Sequence, residues 1–217
     1  MLVHIRRSFI LALVALVLTF AYALLGTGVS QLLFKHQADG SITAYGSTLI
    51  GQNWSQTPCG TGHPLGSCVF QGRPDAVGPY AGSAKPAASG GDNPLEANNI
   101  PGEPGVLNSG ESGATNLGPR SKTLLENTKE LVAYWRARGV DPTPDLVTTS
   151  GSGYDPDISQ QDALVQIPMV SKATGLSTAV LRRLVVSQTQ GAELGFMGTS
   201  YIDVLQLNEA LAKLKGQ

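Results

Sequence analysis

From Ser8 to Phe34 the chain reads SFILALVALVLTFAYALLGTGVSQLLF, 27 residues without a charge. As a helix this run would be ~40 Å long at ~1.5 Å per residue, enough to cross a hydrocarbon core of about 30 Å with some tilt. Arg6 and Arg7 stand directly before it and favour a cytoplasmic N-terminus. The expected layout is residues 1–7 in the cytoplasm, a transmembrane helix over 8–34 and an extracytoplasmic domain over 35–217. A cleaved signal peptide competes with this reading, because Ala21–Ala23 offers a small-x-small cut. The LLGTGVSQLLF that follows stays apolar, which favours a retained anchor.

Further along, Ser41–Trp54 is rich in β-branched residues punctuated by Gly46 and Gly51, and predicts one or two short strands. Leu124, Leu125, Thr128, Leu131, Val132 and Trp135 recur at helical spacing and predict a helix over 124–138. Thr123 with Glu126 supplies a capping box, and Gly139 a terminator. Asp145–Ser150 reads as a short strand. Gly151, Gly153 and the restriction that Pro156 places on Asp155 then make a turn. Ser159 and Asp162 form a second capping box, opening a helix over 160–165 that Pro168 is expected to end. Gly175 closes the next helical stretch, and Ser177 caps a helix over 178–188. The fold class is α+β: one membrane helix, then one mixed domain containing a helical hairpin.

Helix, glycine turn, helix is also the cadence of a DNA-reading motif, and charge tests that idea. Residues 35–217 hold 13 Lys and Arg against 16 Asp and Glu, and only Arg182 and Arg183 lie on the second helix. A phosphate backbone calls for more cations than that, so no nucleic-acid partner is expected. Residues 81–119 contain 8 Gly and 5 Pro and no aromatic side chain, a composition suited to a long surface loop. Cys59 and Cys68 flank His63 in the loop between the strands and that stretch. One His and two Cys match zinc spacing poorly, and an extracytoplasmic location makes a Cys59–Cys68 disulfide the expected use. Asp155 and Asp157 could approach a cation, but the pattern of a calcium loop is missing. Neither a Walker-type nucleotide loop nor a G-x-S-x-G or H-E-x-x-H motif occurs. Residue chemistry therefore predicts a non-enzymatic, single-span protein with no covalent cofactor and no metal.

Six blocks carry a resemblance. They are GSTLIGQNW (46–54), GRPDA (72–76), SGATNLGP (112–119), DLVTTSGSGYDPDIS (145–159), QTQGAELGFMG (188–198) and YIDVLQLNEAL (201–211). In this order they resemble the C subunit of the Kdp-type potassium-transporting P-type ATPase. With the N-terminal span they cover nearly the whole chain, and the SGSGYDPDIS block is the most specific. The chain departs from the family pattern at Asp75, where a serine is usual, and in a Gly/Pro-rich insertion at about 82–111. It also departs in the cysteine loop and in the uncharged Gln190 and Ala192. The resemblance implies structural or partner-facing roles for Gly51, Gln52, Arg73, Asn116, Gly153, Asp155, Pro156 and Gln188.

The resemblance also implies three partners: a channel-like potassium-selective subunit, the P-type ATPase subunit and a small membrane subunit. ATP and potassium then belong to the complex, and this chain acts as a catalytic chaperone supporting ATP binding by the ATPase subunit. With only residues 1–7 in the cytoplasm, direct contact with ATP fits that layout poorly. A free-standing anchored protein that captures a small ligand outside the cell is the competing function.

Overall fold

A computed structural model describes residues 2–43, 46–52, 54–55, 57–74, 114–152, 155–192 and 194–216. The insertion expected at 82–111, Asp75 and the turn residue Gly153 fall outside them. The chain divides into two compact units, residues 1–42 and 43–217.

The first unit is dominated by α1 (Leu2–Leu33), a helix of 32 residues, or ~48 Å at ~1.5 Å per residue. Arg6 and Arg7 ride on its early turns instead of preceding it. Val3–Leu33 is long and apolar enough to cross a membrane, and none of its most apolar window is buried. The hydroxyls of Thr19, Thr27 and Ser30 each donate to the carbonyl four residues earlier, at 2.8, 3.0 and 2.9 Å. Such back-bonding satisfies a polar group where lipid would offer it no partner. Phe34, with φ −135° and ψ 40°, breaks the helix, and α2 (Lys35–Ala38) adds one turn.

Next in the chain, β1 (Ile42–Thr43) and β2 (Gly46–Ser47) form a two-stranded ladder where strands were expected. The next helix, α3, runs Lys122–Ala137. Its cap is Ser121, whose hydroxyl accepts from the Leu124 N–H at 3.4 Å. The predicted box of Thr123 and Glu126 is therefore incorrect; Thr123 lies inside the first turn, because the chain turns helical as soon as Ser121 can accept. Leu131 and Trp135 carry the buried face, whereas Leu125 is exposed. Gly139, at φ +75°, ends the helix region as expected.

The strand predicted at 145–150 is also corrected. Asp145–Val147 is a single 3₁₀ turn launched by Pro144, whose φ of −54° and ψ of −37° already start a helical turn. Leu146 and Val147 are both buried. The Trp135 indole N–H donates to the Leu146 carbonyl at 2.9 Å and fixes the turn to α3.

The remainder is β3 (Asp157–Ile158), α4 (Gln160–Thr174), α5 (Thr178–Gln188), β4 (Ile202–Asp203) and α6 (Val204–Lys215). The capping box of Ser159 and Asp162 is complete, with both reciprocal bonds present. Pro168 does not end α4, however. Its ring sits on the exposed side, while Ala163, Ile167, Met169 and Val170 continue the buried face past it. Burial of that face outweighs the lost backbone bond, a penalty of ~3 kcal/mol. Gly175 at φ +76° ends α4, and Ser177 caps α5. The α4–α5 hairpin packs on itself, and α5 packs on α6. Strands β3 and β4 pair antiparallel, with Asp157 opposite Asp203 and Ile158 opposite Ile202. One core gathers Phe70, Trp135, Leu146, Leu181, Ile202 and Leu207 from all these elements.

Candidate functional site

The polar groups of the second unit converge on the segment 70–74, which has no regular structure of its own. Such a segment must find partners for its buried backbone groups elsewhere. Two helices supply them. The Phe70 N–H donates to Asn208 Oδ1 at 2.8 Å, and Asn208 Nδ2 donates back to the Phe70 carbonyl at 2.8 Å. One residue on, the Gln71 N–H donates to Gln166 Oε1 at 2.8 Å, and Gln166 Nε2 donates to the Gln71 carbonyl at 3.0 Å. Each carboxamide thus does what a neighbouring strand would do, from α6 on one side and α4 on the other. The Gln71 side chain is also held: Tyr134 O–H donates to its Oε1 at 2.9 Å, and its Nε2 donates to the Gly66 carbonyl at 3.0 Å. Burial raises the Tyr134 hydroxyl pKa, against the opposing pull of Arg138 and the Gln71 bond. The Arg138 guanidinium stacks 3.5 Å from the Tyr134 ring centre.

Arg73 follows directly. Its Nη1 lies 3.4 Å from Asp155 Oδ2, its Nη2 donates to the Thr149 carbonyl at 3.3 Å, and Asp145 Oδ1 stands 3.9 Å away. Arg73 Nε is buried with no partner among the described residues. Asp155 Oδ1 meanwhile accepts the Asp157 N–H at 3.1 Å, closing the turn into β3. The Pro156 carbonyl accepts the Val204 N–H at 3.0 Å. One arginine therefore ties segment 70–74, the 3₁₀ turn and the start of β3 together. The pair is partly exposed, so its ionic worth is ~0–1 kcal/mol and its effect is mainly positional.

Of the residues singled out in the sequence, Arg73, Asp155 and Pro156 meet in this cluster. Gln52 belongs to another contact, packed over Gly46, where φ is +143° and a Cβ would collide with the Gln52 amide. Gly51 is half-buried beside it in the chain. Asn116 sits in exposed chain at φ +54°, a conformation its short polar side chain tolerates. Gln188 is the half-buried last residue of α5, and Gly153 lies outside the described residues. Cys59 and Cys68 are joined in a disulfide, with Cα atoms 5.4 Å apart. Among the described residues no group of three His, Cys, Asp or Glu side chains is disposed to hold a metal.

Sequence reasoning missed Gln71, Gln166, Asn208, Asp157 as a strand residue, and Asp203. A signal existed for two of them. Gln166 falls between Ala163 and Val170, and Asn208 between Leu205 and Leu211, each a carboxamide on an otherwise apolar helical stripe. A buried amide in that setting needs a partner, and an irregular backbone is the natural one.

The family described as the potassium-transporting ATPase c chain matches residues 5–213. A potassium-transporting ATPase KdpC subunit from Methylobacterium nodulans is 38% identical over all of this chain and all of its own length. That of Sorangium cellulosum is 39% identical over 97% of this chain and 98% of its own. That of Rhodopseudomonas palustris strain TIE-1 is 37% identical over 97% of each. Matches of this extent, spanning the apolar helix and the domain alike, establish that the chain belongs to the KdpC family, subunits of the potassium-transporting ATPase.

Proposed function

We propose that this chain is a non-catalytic assembly subunit of a high-affinity ATP-driven potassium uptake complex. It is anchored by α1 with its N-terminus in the cytoplasm, and it presents residues 35–217 outside the membrane. Its partners there are a channel-like potassium-selective subunit, the P-type ATPase subunit and a small membrane subunit. The observation that carries this reading is the full-length likeness to potassium-transporting ATPase subunits. The polar chemistry of the domain is consistent with it. The buried amides of Gln166 and Asn208 and the Arg73 cluster bond to this chain's own backbone. Residues used this way make a rigid framework.

Support for ATP binding then follows without contact with the nucleotide. A subunit that binds the ATP-competent conformation of the ATPase chain more tightly raises its ATP affinity by the same free-energy difference. In this arrangement α1 couples the domain to that chain. The complex would be purified with and without this chain, and the ATP concentration for half-maximal turnover compared. A several-fold rise on its removal, with co-purification of three partner chains from native membranes, is expected. Unchanged ATP dependence would sink the chaperone role, and absence of partners would sink the assembly role. For orientation, Lys129→Cys on the exposed side of α3 should react with an impermeant thiol reagent on cells whose outer barrier is opened. Labelling only after the inner membrane is broken would reverse the topology.

A further inference from the structure

We propose that Asp157 and Asp203 form a proton-sensitive clasp, which ties the start of α4 to the start of α6 more tightly when a proton sits between them. Strands β3 and β4 are two residues each, and their register sets Asp157 opposite Asp203. Directly opposed residues of an antiparallel pair point to the same face, with Cβ atoms ~4.5–5.5 Å apart. Ile158 and Ile202 fill the core side of the ladder, so both carboxyls share the other. The ladder is short, but much hangs on it. Ser159, the cap of α4, follows β3 at once, and Asp203 is itself the cap of α6, accepting the Gln206 N–H at 2.8 Å. The bond from Val204 N–H to the Pro156 carbonyl extends the same junction.

Among the described residues, the surroundings give the pair no counter-charge. From the segment before β3, Asp155 adds a negative charge and is itself held by Arg73. Asp155, Asp145 and the Thr149 carbonyl occupy the Arg73 guanidinium. From α6, Glu209 adds another negative charge and accepts from the Thr43 hydroxyl at 3.1 Å. From α4, Asp162 is engaged by the Ser159 N–H and by Thr143. Among the described residues, neither Asp157 nor Asp203 joins a salt bridge. Two ionised carboxylates in this register repel, whereas one shared proton turns repulsion into a hydrogen bond. Burial, then Asp155, then Asp203 push Asp157 from 3.8 up to about 6. Burial likewise raises Asp203, with the Gln206 and Leu205 N–H groups opposing, Glu209 adding, and the Gln206 side-chain amide, 3.4 Å from Oδ2, opposing as well.

The sign follows from linkage. A carboxyl that holds its proton more tightly folded than unfolded stabilises the fold fully below its unfolded pKa. That contribution is lost as pH rises through the folded value of about 6. The clasp therefore closes on acidification.

The test is hydrogen exchange by mass spectrometry on the full-length chain in detergent, at pH values about one unit either side of the Asp157 pKa, corrected for intrinsic rates. Peptides covering 155–160 and 200–207 should be protected about 3–10-fold more at the lower pH, a range already reduced because Asp157 is partly exposed. Asp157→Asn should abolish that difference, and Asp203→Asn should reduce it to the part that burial and Asp155 supply; asparagine keeps the α6 cap. Equal pH dependence in native chain and variants, or none in the native chain, overturns the clasp. Should either variant fail to fold, carboxyl titration of the native chain by NMR decides. Asp157 titrating near 6, with Asp203 raised above the ordinary carboxylate range, supports the clasp, and two carboxyls titrating near 3.8 overturn it.

Discussion

Replacing Gln166 by leucine tests the idea that side-chain amides hold segment 70–74 in place of a strand. Gln166 is fully buried, and it serves both the N–H and the carbonyl of Gln71. Leucine matches it roughly in size but offers neither donor nor acceptor. The Gln71 N–H and carbonyl would then be left buried and unpaired, at a cost of about 1–3 kcal/mol each. The extra apolar burial returns ~1–2 kcal/mol. The net loss is centred on roughly 2–3 kcal/mol, a large share of a typical total of about 5–15 kcal/mol. At about 2–4 °C per kcal/mol for a chain of this size, the melting midpoint should fall by roughly 4–12 °C. Fluorescence of Trp135, buried and bonded to the Leu146 carbonyl, reports unfolding of the domain without interference from helicity in α1. Asn208→Leu should behave alike at Phe70, and the double variant should lose less than the sum, because adjacent residues share one segment. A midpoint for Gln166→Leu within ~2 °C of the native chain would show that the segment is held by something else, and the reasoning would fail.

Opening the Cys59–Cys68 ring should cost about 2–3 kcal/mol on the chain-entropy account, read as a lower melting midpoint under reductant; two free thiols by intact mass in protein from native membranes would contradict the pairing. Asp155→Ala removes the Arg73 contact and the turn bond to the Asp157 N–H, so a loss of roughly 0.5–2 kcal/mol and weaker assembly of the transport complex are expected. Complexes that do assemble should keep near-normal turnover; full assembly with lost transport would instead place the 150–159 turn in the transport cycle.

The local signals in this sequence were legible because they act over a few residues. An uncharged run of 27 residues predicts a helix long enough to cross a membrane, and α1 is one. Ser159, Asp162, Gly175 and Ser177 marked helix ends because each satisfies backbone groups within its own turn. The family blocks also drew attention to Arg73, Asp155 and Pro156. Their bonding needed the fold: Arg73 reaches Asp155 across 82 positions, and Asn208 reaches Phe70 across 138. The same distance effect explains the errors. Pro168 is a helix breaker by local rules, yet the core face of α4 runs past it. DLVTTS has strand-like composition, yet Pro144 and the Trp135 indole bend it into a turn. Asp157 and Asp203 lie 46 positions apart and look like ordinary surface aspartates until β3 and β4 set them face to face. Short-range hydrogen bonding was therefore written in the sequence. The partners of buried polar groups were set by which segments the core brings together, and only the tertiary structure decided that.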